Sequence, residues 1–559
     1  MKDWRERFPT IYAEDQEYWS GKGFEEVESA RGEVSFRGTV TVRRKGEEGL
    51  ERHDFELQFD YPPGYPHYPP KVKFISPKIE RARHQGMDEA PCLFPASAWR
   101  RTVPASEVYT ATERWLGYHL EGKFPRELAL YELPEYFEGA AYSVIAPTAV
   151  LKSFEGKNRG SFSVAKRLGQ DLCVLRSVDG DHVGKDLISS LGEKKLWAKP
   201  GIWKWYRLNR EPKPMRHTGE LELLLAESGH QGVKFTQRPK EGRHLIGLVF
   251  TDEVLDQERL FLIDIGVRTK RQQAEVGKGW PICAPEFHVV SREELLRRLE
   301  GVRALNELGE KSVACFGLGA IGSTLALSLV REGVGSFVLC DPDTIRPGNV
   351  VRHALDLTAV GQTKPLAIET ALSRINPDVE TDPQYQNLSD PSVIATHLRD
   401  VDFVVAAIGD DPREELLCEV AFDRDDPPTM LLIRTLHAGA AFRVVLIRPG
   451  VDACIACLVE YKNERHPEWI DVPSDGLPDV YDTGCATASR PGAGLTSQQA
   501  ATFAAARVVE FLEGREGALA NHWLWVEQPI AADDGRLQRG LALHHTTFPP
   551  RPGCAVCGA

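Results

Sequence analysis

Apolar and polar residues alternate in different ways along the chain, and the pattern divides it into three predicted regions. Residues 1–138 begin with a helical pattern and continue with two strand patterns, GEVSFRGTVTVRR and HDFELQFDY. The prolines of YPPGYPHYPPKVKFISP predict an ordered flap, because proline cannot donate a hydrogen bond within a sheet. A helix is then predicted from about Ser106 to Leu120. We therefore expect an N-terminal α+β domain at residues 1–138.

Residues 139–290 contain short strand patterns, HLIGLVF and RLFLIDI, without a recognisable catalytic constellation. We predict a middle linker domain of mixed α/β structure and assign it no role. The run KKLWAKPGIWKWYRLNR combines aromatic with basic side chains, as in surfaces that stack on nucleic acid. We favour the alternative that it is a strand with one buried and one solvated face.

Strand and helix patterns alternate regularly in residues 291–559. The order is SVACFG, TLALSLV, SFVLCD, KPLAIETALSRI and VDFVVAAIGDD. Alternation of this kind predicts an α/β fold, in which helical crossovers connect the strands of a Rossmann-like parallel sheet.

The composition is that of a globular protein, with 42% hydrophobic and 27% charged residues. No apolar run approaches the ~20 residues of a membrane span, and MKDWRERFPT lacks the apolar core of a secretory signal. We therefore expect a cytoplasmic protein that does not bind membranes. The net charge of −13 argues against nucleic acid as a partner. Eleven cysteines without an export signal favour thiols, metal ligands or catalysis over disulfides.

Three glycines, Gly317, Gly319 and Gly322, lie between a strand pattern and a helix pattern. This spacing allows a sharp turn and a close approach of the backbone to a phosphate, and the helix N-terminus offers unpaired N–H groups. NAD, FAD and ATP can all be bound in this way. The residues that follow must therefore decide between them.

Charged residues after the next strands favour ATP. An acid that ends the second strand can bind ribose hydroxyls, as in dinucleotide-binding proteins. A triphosphate additionally needs cations and Mg²⁺ around its phosphates, and carboxylates suit Mg²⁺. The ribose candidate is Asp341, the phosphate candidates are Asn349, Arg352 and Lys364, and the magnesium candidates are Asp410 and Asp411.

Two C-x-x-C pairs, in DACIACL and PGCAVCGA, can form a tetrahedral thiolate site without an open coordination position. The pattern predicts structural zinc, with a binding free energy on the order of 10 kcal/mol. A redox-active pair or chance pairing is the alternative. The four predicted ligands are Cys454, Cys457, Cys554 and Cys557.

An irregular stretch of roughly 35 residues separates these pairs, a length typical of functional or disordered loops. Its single cysteine, Cys485, precedes a helix predicted to begin near Thr496. A thiol near an adenylate can accept the activated acyl group as a thioester. We predict a catalytic-cysteine loop at 460–495, with an incidental exposed cysteine as the alternative.

The combination of GxGxxG, DxDxxxxxNxxR, a following lysine and an acid after the fourth strand resembles the ubiquitin-activating enzyme superfamily over roughly residues 295–559. That superfamily includes ThiF/MoeB-type adenylyltransferases of the thiamine and molybdopterin pathways. The resemblance implies the ATP site given above, with Asp343 in the same motif, and supports the four-cysteine zinc site. It also implies Cys485 as the nucleophile.

The same resemblance implies a homodimer through the adenylation domain. The family has Arg-Gln where this chain has Arg352-His353. Family members also use an arginine from ahead of the first strand, often across the dimer. The candidates are Arg297, Arg298 and Arg303.

Residues 1–138 resemble a ubiquitin-conjugating domain in the F-x-L-x-F strand, the YPHYPPKVKF flap and the PCLF that follows. The resemblance implies that Cys92 accepts an acyl group, and a buried structural cysteine is the alternative. The family has His-Pro-Asn ahead of the cysteine, and its asparagine supports the oxyanion. In RHQGMDEAPCL, His84 keeps the histidine position and Gln85 is a candidate substitute for the asparagine.

The domain order resembles bacterial fusion enzymes of ubiquitin-like conjugation operons, including the Cap2-type enzymes of anti-phage (CBASS) operons. The implied reaction uses ATP and Mg²⁺ to adenylate the C-terminal carboxylate of a ubiquitin-like protein or cGAS-like nucleotidyltransferase. Cys485 and then Cys92 would carry the acyl group to an amine of a target protein. Three alternatives remain: a sulfur-carrier adenylyltransferase with a non-catalytic docking domain, a non-enzymatic binding module, and an NAD(P) oxidoreductase.

Overall fold

The computed structural model describes residues 3–28, 34–46, 49–79, 85, 90–94, 99–122, 139–183, 187–188, 191, 194–212, 215–235, 244–252, 256–266, 279–386, 388–472, 480–481, 488–489, 494–515, 520–527, 530–531, 537–538 and 540–558. The chain folds into two units, Met1–Ile188 with Glu193–Val289, and Ser189–Gly192 with Val290–Ala559. The predicted domain bounds, 1–138, 139–290 and 291–559, stay predictions.

The beginning of the N-terminal unit is a four-stranded antiparallel sheet with an aromatic core. Trp19 is fully buried, and its ring lies 4.3 Å from that of Phe59. The two predicted strands and the predicted helix are confirmed. In sheet order, the strands are β1 (Glu25–Glu28), β2 (Val34–Gly46), β3 (Gly49–Asp60) and β4 (Lys71–Ser76); the helices are α1 (Trp4–Arg7), α2 (Pro9–Gly21) and α3 (Ala105–Glu121).

The proline-rich flap after β3 is ordered, as its prolines predict. The Tyr65 hydroxyl donates to Asp15 Oδ2 over 2.7 Å, so the flap is tied to α2. The Trp99 indole N–H donates to the carbonyl of Pro66 over 3.0 Å and ties the flap to the segment that precedes α3. The flap is thus held to α2 and to the residue Trp99, which follows the segment that contains Cys92.

The rest of the N-terminal unit is a closed seven-stranded β-barrel. Its strand order is β5-β12-β11-β10-β9-β6-β7, and β7 pairs with β5 to close the ring, so the barrel has no open edge. The bounds are β5 (Gly139–Pro147), β6 (Arg159–Lys166), β7 (Leu172–Val178), β8 (Asp181–His182), β9 (Gly201–Arg207), β10 (Leu245–Asp252), β11 (Gln257–Ile265), β12 (Ile282–Val290) and α4 (Thr218–Glu227).

The barrel departs from the predicted mixed α/β domain. The two runs recognised from the sequence are β10 and β11, which pair antiparallel, but the pairing of β5 with β7 that closes the ring leaves no local sequence pattern. In β9, Trp205 is buried and Lys204 is exposed. The interpretation of this aromatic and basic run as a strand with two different faces is therefore confirmed.

The C-terminal unit contains an eight-stranded mixed sheet in the order β15-β14-β13-β16-β17-β18-β21-β24. The first five strands are parallel, as predicted, and the last three extend the sheet in antiparallel pairs. The eight strands are β13 (Ser312–Phe316), β14 (Ser336–Cys340), β15 (Glu380–Gln384), β16 (Phe403–Ala406), β17 (Thr429–Leu436), β18 (Ala441–Ile447), β21 (His522–Val526) and β24 (Ala542–Thr546). Two separate antiparallel pairs are formed by β19 (Val480–Tyr481) with β20 (Ala488–Ser489) and by β22 (Ile530–Ala531) with β23 (Leu537–Gln538).

Helices cover both faces of the parallel strands. Val313 and Cys315 of β13 belong to one apolar cluster, and Ala314 and Phe316 belong to the cluster on the other face. This explains why the strands are apolar throughout rather than alternating. The helices are α5 (Arg292–Leu296), α6 (Leu305–Gly309), α7 (Ala320–Arg331), α8 (Lys364–Ile375), α9 (Pro391–His397), α10 (Asp411–Phe422), α11 (Ile455–Asn463) and α12 (Gly494–Leu512).

The strand of this sheet that comes first in the sequence, β13, lies between β14 and β16. The chain therefore builds the sheet on one side of β13 with β14 and β15, and on the other side with the later strands. A crevice forms at such a switch point, outside the carboxyl ends of the strands.

Among the helices of the described residues, none combines the length and the hydropathy of a membrane span.

A buried histidine in β21 makes the stability of the C-terminal unit depend on pH. Burial lowers the pKa of His522 to about 3, whereas an unfolded histidine has a pKa near ~6.5. The unfolded chain therefore binds a proton that the folded chain excludes, and stability falls as the pH drops below 6.5. At pH 5.5 this removes about 1.4 kcal/mol of the free energy of unfolding relative to pH 7.5.

We predict that His522→Phe reduces the loss of thermal stability between pH 7.5 and pH 5.5, as measured by the midpoint of thermal unfolding. The matched control is His545→Gln on β24, because the side chain of His545 is exposed. The control should lose as much stability as the wild type. An unchanged pH dependence in His522→Phe would contradict the assignment.

Candidate functional site

The predicted glycine loop connects β13 to α7 at the switch point of the sheet. Gly317 has a φ of 86°, and a Cβ there would lie 2.5 Å from the carbonyl oxygen of Ala407. A Cβ on Gly322 would lie 1.9 Å from the carbonyl oxygen of Gly317. A Cβ on Gly319 would contact nothing within 4 Å. Two glycines thus permit close packing, and the third leaves open space in front of the backbone.

The buried carboxylate of Asp341, directly after β14, holds this loop. Its Oδ2 accepts the N–H of Leu318 over 2.7 Å, and its Oδ1 accepts the N–H of Asp343 over 2.9 Å. The Nζ of Lys364 lies 3.2 Å from Oδ1. A buried carboxylate needs compensating donors and charge, and these three contacts supply them to Asp341 next to the loop.

Lys364 begins α8 and lies between two carboxylates. Its Nζ is 2.8 Å from Asp343 Oδ2, and its backbone N–H donates to the carbonyl of Asp343 over 2.9 Å. The Lys364 side chain is buried, whereas the side chain of Asp343 is 60% exposed. Lys364 is therefore held beside the loop by two carboxylates, of which that of Asp343 is open to solvent.

Two of the three residues predicted to bind phosphate, Asn349 and Arg352, lie in one short turn. Pro347–Asn349 forms a 3₁₀ turn, and the N–H of Arg352 donates to the carbonyl of Asn349 over 3.0 Å. The side-chain oxygen of Asn349 accepts the N–H of Arg346 over 3.0 Å. The turn fixes the backbone at both predicted residues.

His353 is a site residue whose role the sequence analysis missed. Its Nε2 is 2.9 Å from the carbonyl oxygen of Leu318, and its Nδ1 accepts the N–H of Leu355 over 3.2 Å. Burial lowers the pKa of His353 below its ordinary value. The replacement of the family's Arg-Gln by Arg352-His353 was the signal that could have indicated this role.

Asp410 lies at the N-terminus of α10, after β16. Its Oδ1 accepts the N–H of Arg413 over 3.2 Å as an N-cap, and Oδ2 lies 3.6 Å from the Arg413 guanidinium. Its neighbour Asp411 is paired with Arg434 of β17. Of the two predicted magnesium ligands, Asp410 is thus held by contacts within its own helix, and Asp411 is held by a neighbouring strand.

A buried ion pair that the sequence analysis missed supports this turn. The carboxylate of Glu414 has no exposed surface, and it accepts both the Arg434 guanidinium and the N–H of Gly409, the latter over 2.9 Å. Burial raises the pKa of Glu414. The pair links β17 to the residue that precedes Asp410.

Two of the three arginines ahead of β13 are held in ion pairs. Arg297 is paired with Glu294, and Arg303 lies 2.5 Å from Glu332. Arg298 is exposed. The ion pairs fix Arg297 and Arg303 within the unit, so Arg298 is the most accessible candidate for an arginine that acts on a partner.

The four predicted zinc ligands form one cluster. Their sulfur atoms all lie within 4.8 Å of one another, and the Cys454–Cys457, Cys454–Cys554 and Cys457–Cys557 distances are 3.7, 3.5 and 3.7 Å. A tetrahedral zinc site with Zn–S bonds of ~2.3 Å has S–S edges of about 3.8 Å. The cluster fits a zinc ion. Cys454 and Cys457 are buried, as expected of a structural site.

The N-terminal cysteine lies beside an isolated antiparallel bridge between Gln85 and Pro91. Cys92 is exposed, with its Sγ 4.0 Å from the carbonyl oxygen of Phe94, so a buried structural role does not fit. Gln85 is buried, whereas Cys92 is exposed.

Two predicted catalytic residues, Cys485 and His84, lie outside the described residues. The neighbouring strands β19 and β20 form a short antiparallel pair around the segment of Cys485, and α12 begins at Gly494. The roles of both residues stay predictions.

Known proteins resemble parts of this chain. Residues 290–529 match the ThiF family. The ATP-dependent ubiquitin transferase-like protein Cap2 of Enterobacter hormaechei is 37% identical over 109 residues, which are 19% of this chain and 18% of that protein. Cap2 of Pseudomonas aeruginosa is 28% identical over 213 residues, 37% of each chain. Ubiquitin-like modifier-activating enzyme 5 of Drosophila sechellia is 27% identical over 183 residues, 30% of this chain and 44% of that protein.

The chain thus spans less than half the length of each of these relatives. The C-terminal unit contains a ThiF-type adenylation domain similar to that of ubiquitin-activating enzymes, which confirms the resemblance read from its motifs. The match covers the glycine loop, Asp341, Lys364 and Asp410. The prediction of an NAD(P) oxidoreductase as an alternative has no support from these matches.

We predict that the purified chain contains one zinc ion per molecule, measured by elemental analysis. Cys554→Ser removes a ligand and should abolish most of the bound zinc and lower the midpoint of thermal unfolding. Cys92→Ser is the control and should change neither quantity. A disulfide between the cysteines of a C-x-x-C pair, found with no bound metal in protein prepared without oxidant, would support the redox alternative instead.

Proposed function

We propose that this chain uses ATP to activate the C-terminal carboxylate of a protein and transfers it through two cysteines to an amine. The observation that carries the proposal is the arrangement at the switch point of the C-terminal sheet. An open glycine loop, a buried ribose-type acid and a buried lysine converge there within a ThiF-type domain.

The first step fits this arrangement. The incoming carboxylate oxygen attacks the α-phosphorus of ATP, the bond to pyrophosphate breaks, and an acyl adenylate forms. Asp341 would bind the ribose hydroxyls, and the N-terminus of α7 would receive a phosphate. Lys364 would stabilise the negative charge that moves to the leaving pyrophosphate.

Asp410 is suited to hold Mg²⁺, because its Oδ2 is a hard oxygen ligand and its position is fixed by the N-cap contact. The ion supplies charge neutralisation at the phosphates when it is bound. Glu414 and Arg434 keep the turn of Asp410 in place through the N–H of Gly409.

The later steps transfer the acyl group between sulfur atoms. The Cys485 thiolate attacks the acyl carbonyl and AMP leaves. The Cys92 thiolate then attacks the thioester carbonyl and releases the Cys485 thiolate. A target amine finally attacks the carbonyl of the Cys92 thioester, so that an amide forms, the C–S bond breaks, and the Cys92 thiolate leaves with the proton that the amine loses. Exposure of Cys92 supports its accessibility to an acyl donor and an acceptor. Each transfer to a cysteine needs a thiolate nucleophile.

One chain with both cysteines suits this chemistry. Acyl adenylates and thioesters hydrolyse in water, and tethering keeps the accepting thiol at about millimolar effective concentration for a short flexible linker. The partners would be a ubiquitin-like protein or the C-terminus of a cGAS-like nucleotidyltransferase, and a target protein with an amine. We place the reaction in the cytoplasm and in anti-phage defence, with a homodimer formed through the adenylation domain.

A second candidate function rests on Gln85. Because this residue is buried whereas Cys92 is exposed, the described part of the chain does not place it as an oxyanion donor. A sulfur-carrier adenylyltransferase, in which the N-terminal domain only docks the partner, would need no such donor.

We predict that the chain catalyses ATP–pyrophosphate exchange in the presence of a partner C-terminus, and that Lys364→Met lowers this activity about a hundredfold, since it removes transition-state charge stabilisation. The matched control is Lys311→Met. Lys311 is paired with Asp402 at the opposite, amino end of the strands. The control should keep full exchange activity. Equal activities in the two variants would exclude Lys364 from the phosphate site.

A separate experiment tests the relay with proteins encoded beside this chain. After ATP addition, thiol-sensitive adducts should be found on both cysteines in the wild type and only on Cys485 in Cys92→Ala. Cys485→Ala should carry no adduct, because the acyl group reaches Cys92 only through Cys485. An adduct on Cys92 in Cys485→Ala would overturn the order, and full product formation by Cys92→Ala would favour the sulfur-carrier function.

A further inference from the structure

We propose that His353 is a positioning residue that aims the backbone N–H of Gly319 at a nucleotide phosphate. The inference rests on the proposed ATP site, and it concerns a residue at which this chain differs from the motif of the ubiquitin-activating superfamily. One contact joins the turn after Arg352 to the glycine loop, and a second joins it to α7, where the N–H of Ala354 donates to Ser323 Oγ over 3.2 Å.

The hydrogen bonds determine which ring nitrogen carries the proton. The N–H of Leu355 donates to Nδ1 over 3.2 Å, so Nδ1 is an acceptor and has no hydrogen. The proton is therefore on Nε2, which donates to the carbonyl of Leu318 over 2.9 Å. Burial, which disfavours the charged imidazolium, keeps His353 in this neutral tautomer.

Both backbone groups of Leu318 are thereby fixed. Asp341 accepts its N–H over 2.7 Å, and His353 donates to its C=O over 2.9 Å. The side chain of Leu318 is fully buried, so the residue is also held by packing. Neither peptide plane that meets at Leu318 can rotate without breaking one of these hydrogen bonds.

The planarity of the peptide bond transmits this constraint to Gly319. In a trans peptide, the C=O of one residue and the N–H of the next point in opposite directions. Because the carbonyl of Leu318 points at His353, the N–H of Gly319 points away from it. Gly319 is the N-cap of α7, and the space where its side chain would be is empty.

The charged groups around His353 belong to the same site. Asp341, Lys364 and Arg352 all lie close enough to His353 to affect the ionisation of its ring. A hydrogen-bonded neutral ring adds no net charge to this set. His353 can thus orient the loop without competing with Lys364 for a phosphate.

Substitutions separate this role from packing. Glutamine can both donate to the carbonyl of Leu318 and accept from the N–H of Leu355, whereas leucine can do neither. We expect His353→Leu to weaken ATP binding about tenfold, near the upper end for one hydrogen bond, and His353→Gln to stay within about threefold of the wild type. The KM for the partner carboxylate should not change in either variant.

Two measurements test the proposal. Calorimetric titration of the full chain with ATP and Mg²⁺ alone reports nucleotide affinity without any partner, and ATP–pyrophosphate exchange then separates the KM for ATP from kcat. The expected result is a raised Kd and KM for ATP in His353→Leu and rescue in His353→Gln. If the wild type binds ATP but shows no exchange, the proposed function fails while the titration still tests His353.

Equal ATP affinities in His353→Leu and the wild type would overturn the proposal, as would a wild type that does not bind ATP. A loss of affinity in His353→Gln as large as in His353→Leu would also overturn it, because that result indicates a need for the ring shape alone. If His353→Leu does not fold, NMR of protein labelled with ring-¹⁵N histidine takes its place. A resonance that is absent from His353→Gln must then show the Nε2–H tautomer and shift on ATP addition.

Discussion

The candidate site depends on how the peptide backbone at Leu318 is held from two sides. A carboxylate from the end of β14 accepts its N–H, and an imidazole from the following turn donates to its C=O. Each partner is buried, where a hydrogen bond is stronger and an unpaired group is more costly than in water. The loop that faces the open space at Gly319 is therefore set before any ligand arrives. Preorganisation of this kind lowers the cost of ordering the backbone around a phosphate.

The buried carboxylate of Asp341 is stabilised by contacts from several elements of the fold that meet around it. The end of β14, the glycine loop and the first residue of α8 each contribute a contact to the carboxylate. Removing Lys364 would leave a buried charge with two backbone donors and no cation, a situation that is strongly destabilising in proteins. Lys364 thus supports the fold as well as the proposed nucleotide site, and a Lys364 variant must be checked for folding before its activity is interpreted.

The sequence predicted the residues at the strand ends better than their partners. Asp341 and Asp410 could be placed because parallel strands align their carboxyl ends, and Gly317 because of its spacing. His353, Glu414 and Arg434 could not be assigned roles, because their contacts depend on the path of a turn or on pairing between strands that are distant in sequence. The closure of the seven-stranded barrel was missed for a similar reason, since the pairing of β5 with β7 leaves no local pattern. Cys485 and His84 rest on the motifs alone.

The four-cysteine cluster and the proposed magnesium acid are connected through a single helix. Asp410 caps the N-terminus of α10, and Cys418, on the same helix, packs in the apolar cluster that contains Cys454 and Cys457. Eight residues separate Asp410 from Cys418 in the sequence, which corresponds to about 12 Å along a helix. A site that closes around zinc holds the far end of α10, while Glu414 and Arg434 hold its near end. The structural metal would then act on catalysis indirectly, because a loosened helix would move Asp410 away from the position that the proposed magnesium site requires.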